Sequence, residues 1–130
     1  MNMNLGALKF INLIYILFFT FTLNAKPIEG NSIEIQILDK ITAKVSNINI
    51  SVGQLVKFES LSIKVYKCYK TSPEEIPEDY VFLKINDQIN VDLNDLIYQG
   101  WMISSSPAIT PLEHPIYDLW IKACKIDVDF

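Results

Sequence analysis

Glu113-His114, with Asp118 four residues on, is the nearest this chain comes to a catalytic set. A histidine oriented by a carboxylate can act as a general base. One of Ser104, Ser105 or Ser106, a few residues upstream, could then serve as the nucleophile of a triad. Two features weigh against this small hydrolase. There is no Gly-x-Ser-x-Gly elbow. Pro107, directly after the serines, lacks a backbone N–H that an oxyanion hole could use. A histidine before a proline in a loop is more often a hydrogen-bonded structural residue than a base.

Other chemistry is no better supplied. His114 is the sole histidine, so zinc lacks its usual ligands. Glu74, Glu75, Glu78 and Asp79 cluster, but calcium needs a glycine-turned loop of oxygen ligands, and here a solvated acidic loop is the simpler reading. No metal and no cofactor are expected. Tyr98, Trp101, Tyr117 and Trp120 could line a shallow glycan platform, although aromatics at strand spacing are more often core. Trp120 shares parity with Ile116 and Cys124, which predicts burial. Trp101 follows Gly100, a signal for a bulge or close backbone approach.

These residues sit in one unusual segment, Gly100 to Trp120. It holds both tryptophans, the histidine, the serine run, and Pro107, Pro111 and Pro115. The prolines make a long loop less costly to order, and long loops in compact domains are usually functional or disordered. Ala108, Ile109 and Leu112 argue for order. Their side chains either plug one end of the fold or present a contact surface. The candidate binding residues are therefore Trp101, Ile109, Leu112, Glu113, His114, Tyr117 and Asp118.

The elements that must hold this segment read as strands. From Ile33 the apolar period is two: Ile33, Ile35 and Ile37, then Ile41, Ala43 and Val45, then Ile48, Ile50 and Val52. The parity changes near Asn47, which predicts a turn or bulge there. Gly53-Gln54 and Glu59-Ser60 are turn candidates around a strand at 55–58. Leu61, Ile63 and Val65 open a strand that continues through Cys68 and Tyr69. Thr71 to Asp79 is a wet, proline-containing loop. Tyr80 to Ile85 is a strand apolar on both faces, and 86–95 is poorly patterned, with a single helical turn conceivable at 91–96. Strands at 96–103 and 116–124 complete the set. Seven or eight short strands predict an all-β fold, a small antiparallel β-sandwich or barrel-like domain.

The first 25 residues are different. Lys9 precedes an apolar run from Phe10 to Leu23, and Asn24-Ala25 follows. That is the pattern of a signal-peptide helix, with cleavage expected after Ala25. The run is shorter and more polar than a membrane anchor requires, so the membrane is met only through this peptide before cleavage. The expected organisation is a signal peptide at 1–25, a mature arm at 26–32, one β domain at 33–126 and an acidic tail at 127–130. The arginine-free, Ile/Asn/Lys-rich composition is what a low-GC bacterial genome produces, so the expected destination is the periplasm. The chain carries net charge −4 and no arginine. Nucleic acid and anionic lipid surfaces, which need a basic footprint, are therefore excluded as partners. Cys68 and Cys124 are the whole cysteine inventory. In an exported chain an even pair reads first as a disulfide; two buried thiols are the alternative.

Several blocks together carry a resemblance. They are Leu38-Asp-Lys-Ile-Thr-Ala43, Lys67-Cys-Tyr-Lys-Thr-Ser-Pro-Glu-Glu-Ile-Pro-Glu78, Gly100-Trp-Met, Ser105-Ser-Pro-Ala108, Leu112-Glu-His-Pro-Ile-Tyr-Asp-Leu-Trp120 and Cys124. In this order they resemble an exported alphaproteobacterial family known only as a domain of unknown function, over roughly residues 33–125. Ser72 stands where members often have proline, and Ile103 where they often have an aromatic. The resemblance implies export, one domain and a paired cysteine, and it brings no activity or ligand. The expected function is a non-catalytic periplasmic binding or assembly module that contacts an envelope protein. A purely structural domain and the Glu113/His114 hydrolase are the alternatives. Oligomeric state is not encoded in any of these features.

Overall fold

Alternating apolar residues build two antiparallel sheets in the computed structural model of the chain, which describes residues 4–18, 26–90 and 93–127. A helix, α1 (Leu5–Phe18), comes first. It is followed by β1 (Ile28–Gly30), β2 (Ser32–Asp39), β3 (Lys44–Ser51), β4 (Leu55–Phe58), β5 (Leu61–Lys70), β6 (Asp79–Asn90), β7 (Leu93–Ile103) and β8 (Tyr117–Lys125). No helix among the described residues is long and apolar enough to cross a membrane. The expected cleavage site after Ala25 and the end of the acidic tail lie outside the described residues.

One sheet runs β1-β5-β6-β7, with β4 also paired to β5; the other runs β3-β2-β8. The sheets face each other without closing, so the sandwich is the form adopted. Ile33, Ile35 and Ile37 of β2, Leu61, Ile63 and Val65 of β5, and Val81, Leu83 and Ile85 of β6 are all fully buried between them. Each strand gives every second residue to that core, as pleating requires.

Two bulges aim the cysteines. On β5 the register slips between Val65 and Lys67, leaving Tyr66 unpaired. On β8 it slips between Ile121 and Ala123, leaving Lys122 unpaired. Each extra residue reverses the parity downstream. Cys68, three residues after buried Val65, therefore turns inward, as does Cys124, three after buried Ile121. They form the disulfide between the two sheets. Gly30 passes directly over it: a Cβ there would collide with both sulfurs and come within 2.7 Å of the Lys125 carbonyl.

Four sequence expectations are corrected. The β2–β3 ladder is unbroken from Ser32↔Ser51 to Asp39↔Lys44, so there is no turn or bulge at Asn47. The turn is at 40–43, where Ala43 has φ 56, and Val45 faces outward. Asp39 Oδ1 caps this turn by accepting from the Ile41 and Thr42 amides. The poorly patterned stretch after Asn86 forms the end of the β6–β7 hairpin, and β7 already starts at Leu93; residues 91 and 92 of the conceived helical turn are outside the described set. Gly100 pairs with Leu83 without a bulge. Trp120 is half-buried on the outer side of its sheet, since the slip at Lys122 puts it opposite in facing to Cys124.

Candidate functional site

The loop from Ser104 to Ile116 carries the polar groups that sequence singles out, and nearly all of them are tied inward. His114 is only 5% exposed. Its Nε2 lies 2.9 Å from Asp87 Oδ2. Its Nδ1 accepts the backbone N–H groups of Ile116 and Tyr117, both at 3.1 Å. An Nδ1 that accepts two amides carries no proton, so the Nε2–H donates to Asp87. Asp87 Oδ1 in turn accepts from the Ile89 amide at 3.2 Å. Burial is the largest single influence on Asp87 and opposes its charge, but His114, the Ser60 hydroxyl and the Ile89 amide together overcome it and hold the carboxyl below its ordinary range. Tyr117 stacks on the imidazole at 5.2 Å and meets Phe58 edge-on at 6.1 Å.

Neither expected carboxylate orients the histidine. Asp118 pairs with Lys40 at 3.2 Å, and Lys40 Nζ also donates to the His114 carbonyl at 2.6 Å. Glu113 is exposed. The partner actually used, Asp87, lies 27 residues upstream on β6, and no local pattern points to it. The serines are engaged elsewhere. Ser104 Oγ donates to Glu78 Oε1 at 2.8 Å, the Ser105 amide donates to the same oxygen at 3.0 Å, and Ser105 Oγ donates to Oε2. Burial disfavours the charge of Glu78, but the Ser105 and Ser104 hydroxyls, with the Ser105 and Asp79 amides, overcome it and lower its pKa. Glu78 thus locks the acidic loop onto the start of the long loop. As arranged, no base nitrogen is open to a serine; Ser104 and Ser105 are held by a carboxylate, and Ser106 Oγ lies 3.4 Å from Ser105 Oγ.

The candidate binding residues separate by direction. Leu112, His114 and Tyr117 are buried and plug the end of the sandwich. Ile109 is 68% exposed at the loop tip. Trp120 lines a cleft of about 210 Å³ beneath Pro107, Pro111 and Leu112. Trp101 lies far from this packing in register. It pairs with Phe82 on the outer face of the five-stranded sheet, 43% exposed.

That outer face is an aromatic cluster. Tyr66 and Phe82 have centroids 5.8 Å apart, Phe82 and Trp101 5.3 Å, and Trp101 and Tyr69 5.9 Å. Tyr80, opposite Tyr69 in register, extends the row. The β5 bulge contributes here too: it leaves Tyr66 and Lys67 both outward, where a regular strand would turn one of them in. Lys64 Nζ lies 5.2 Å from the Tyr66 centroid and Lys67 Nζ 5.9 Å from that of Tyr69, within cation–π range. The proposed glycan set of Tyr98, Trp101, Tyr117 and Trp120 does not converge, because Tyr117 is core and the two tryptophans lie on different sheets. The sequence signal for the cluster was the strand 80–85, apolar on both faces. In a two-layer fold only one of those faces is covered.

Among the described residues, no group of three or more His, Cys, Asp or Glu side chains is placed to hold a metal ion. An uncharacterized protein of Rickettsia prowazekii (strain Madrid E), RP359, is 34% identical over 87 residues, which cover 67% of this chain and 56% of that protein. The chain thus spans little more than half the length of that relative. No solved structure matches. With paired cysteines, two antiparallel sheets and a match to its profile over residues 33–124, the chain belongs to the bacterial family described as "Uncharacterized protein conserved in bacteria (DUF2155)".

Proposed function

We propose that this protein is an exported, non-catalytic binding or assembly module of the bacterial envelope. The carrying observation is the exposed aromatic row on a sheet whose other face already supplies the core. Exposed contiguous apolar surface of this kind marks interaction sites, and tyrosine and tryptophan are the residues that most often anchor them. Export is supported by the apolar N-terminal run and by a chain whose described cysteines are all paired. The hydrolase reading loses its base, since both ring nitrogens of His114 are already engaged.

In this reading Trp101 is the centre of the contact surface. Leu112, His114, Tyr117 and Asp118 shape the adjoining loop without touching the partner. Ile109 and Glu113, exposed on the loop, form the competing surface. The mature chain begins at Lys26 and works in the periplasm. Intact-mass analysis of cell fractions tests this: the expected species is periplasmic, starts at Lys26 and is oxidised. A full-length, reduced, cytosolic chain is the result that contradicts it.

A further inference from the structure

The outer face of the five-stranded sheet differs from the rest of the molecule in charge as well as in apolar content. The chain as a whole is acidic, at −4. On this face the register places Lys64 beside Lys84 and Lys67 beside Phe82. Glu29, opposite Tyr69 on β1, is an acid on this face, 3.8 Å from Lys67. At the row's end Pro27, Tyr69, Tyr80 and Trp101 line an open, shallow apolar slot of about 280 Å³.

We propose that this face receives an extended acidic segment of a second envelope protein, anchored by a proline or aliphatic side chain in the slot between Tyr69, Tyr80 and Trp101. The proposal rests on the binding-module reading above and adds the partner's chemistry. The apolar lining of the slot suits such a side chain. A sugar ring needs polar groups to fix its hydroxyls, and the slot walls offer none. The rings are also tilted to one another by 33° to 52°, which makes a contoured surface and not a flat platform. Proline-rich segments dock by laying their rings into aromatic-lined grooves. Carboxylates on one side of the anchor then meet Lys67, Lys64 and Lys84, which follow the slot in that order along the paired strands. Complementary charge of this kind steers encounter and fixes register.

The test is selection of a random-peptide library on the oxidised protein purified from the periplasm. The expected winners carry Asp and Glu on one side of a Pro, Ile or Leu. A synthetic winner loses at least about tenfold in affinity with Trp101→Ala and similarly with Lys67→Glu. Lys67→Glu sits at an exposed position and serves as the variant that leaves the core untouched. No enrichment, or winners that bind Trp101→Ala as well as the parent, overturns the proposal. Basic or uncharged winners that still need Trp101 overturn the acidic chemistry and leave the binding-module reading standing. Tight binding of a single-stranded oligonucleotide, or a dimer abolished by Trp101→Ala, also overturns it.

Discussion

The loop from Ser104 to Ile116 and the outer face of the five-stranded sheet hold the chain's most reactive and most adhesive side chains, and they treat them oppositely. In the loop, polar groups face other polar groups of the same chain: His114 has Asp87, Ser104 and Ser105 have Glu78, and Lys40 has Asp118. On the sheet, Tyr66 and Trp101 are 38% and 43% exposed, with lysines held over tyrosine rings. A residue type that could do chemistry is therefore a poor guide to which side chains are left open to a partner. What matters is whether its bonding capacity is already satisfied.

The comparison can be broken most severely at the disulfide, since one β5 bulge serves both the bond and the aromatic face. Removing it with Cys68→Ser and Cys124→Ser frees a loop with 56 residues of separation. The expected loss is about 4 kcal/mol in the chain-entropy account, read as a lower midpoint in urea. Gly30→Ala should act in the same direction, because the new methyl group collides with the sulfurs. An unchanged midpoint for either would show that the two sheets do not depend on this joint.

Next in size is the histidine tie. Asp87→Ala leaves the Nε2–H of a buried imidazole without its acceptor, and the expected cost is about 2–3 kcal/mol. His114→Ala should be comparably destabilising. If instead it folds normally and removes a biological activity, the loop is chemical and the contrast fails. The acid side of the stability profile sharpens the point. Asp87 and Glu78 both have folded pKa values below their ordinary 3.8 and 4.5. Their contribution is fully present above those ordinary values and is lost as pH falls through the lower folded ones. Asp87→Asn should therefore flatten the decline of stability below about pH 4, measured by urea titration across pH.

Smaller again is Glu78→Ala, expected to cost about 1 kcal/mol by releasing the two loops from each other. Comparable in stability is Trp101→Ala, about 1 kcal/mol for the loss of two half-exposed ring contacts at the low end of their range. Its effect should appear in binding. A thermal melt beside a binding assay separates the two regions: loop variants move the melt, and face variants move the affinity.

Sequence disclosed the sandwich through period-two patterning, and the cysteine pair through an even count in a chain that reads as exported. It could not disclose the bulges, because a single extra residue leaves the local composition unchanged. That is why Trp120, matched in parity with Cys124, was expected inside and lies on the outer side. Asp87 was hidden for another reason: its link to His114 spans two strands and a loop and exists only once the sheets are packed. Tyr66, Tyr69, Tyr80 and Phe82 were visible as strand residues, but their common facing follows from the β5–β6 register.

The central claim is that the partner meets the aromatic face and not the loop. A photo-crosslinking residue at Gln99, exposed on the same strand as Trp101, compared with one at Glu113 on the loop, tests it in intact cells. The account predicts a discrete adduct from position 99, lost with Trp101→Ala, and none from position 113. An adduct from 113 with none from 99 would contradict it.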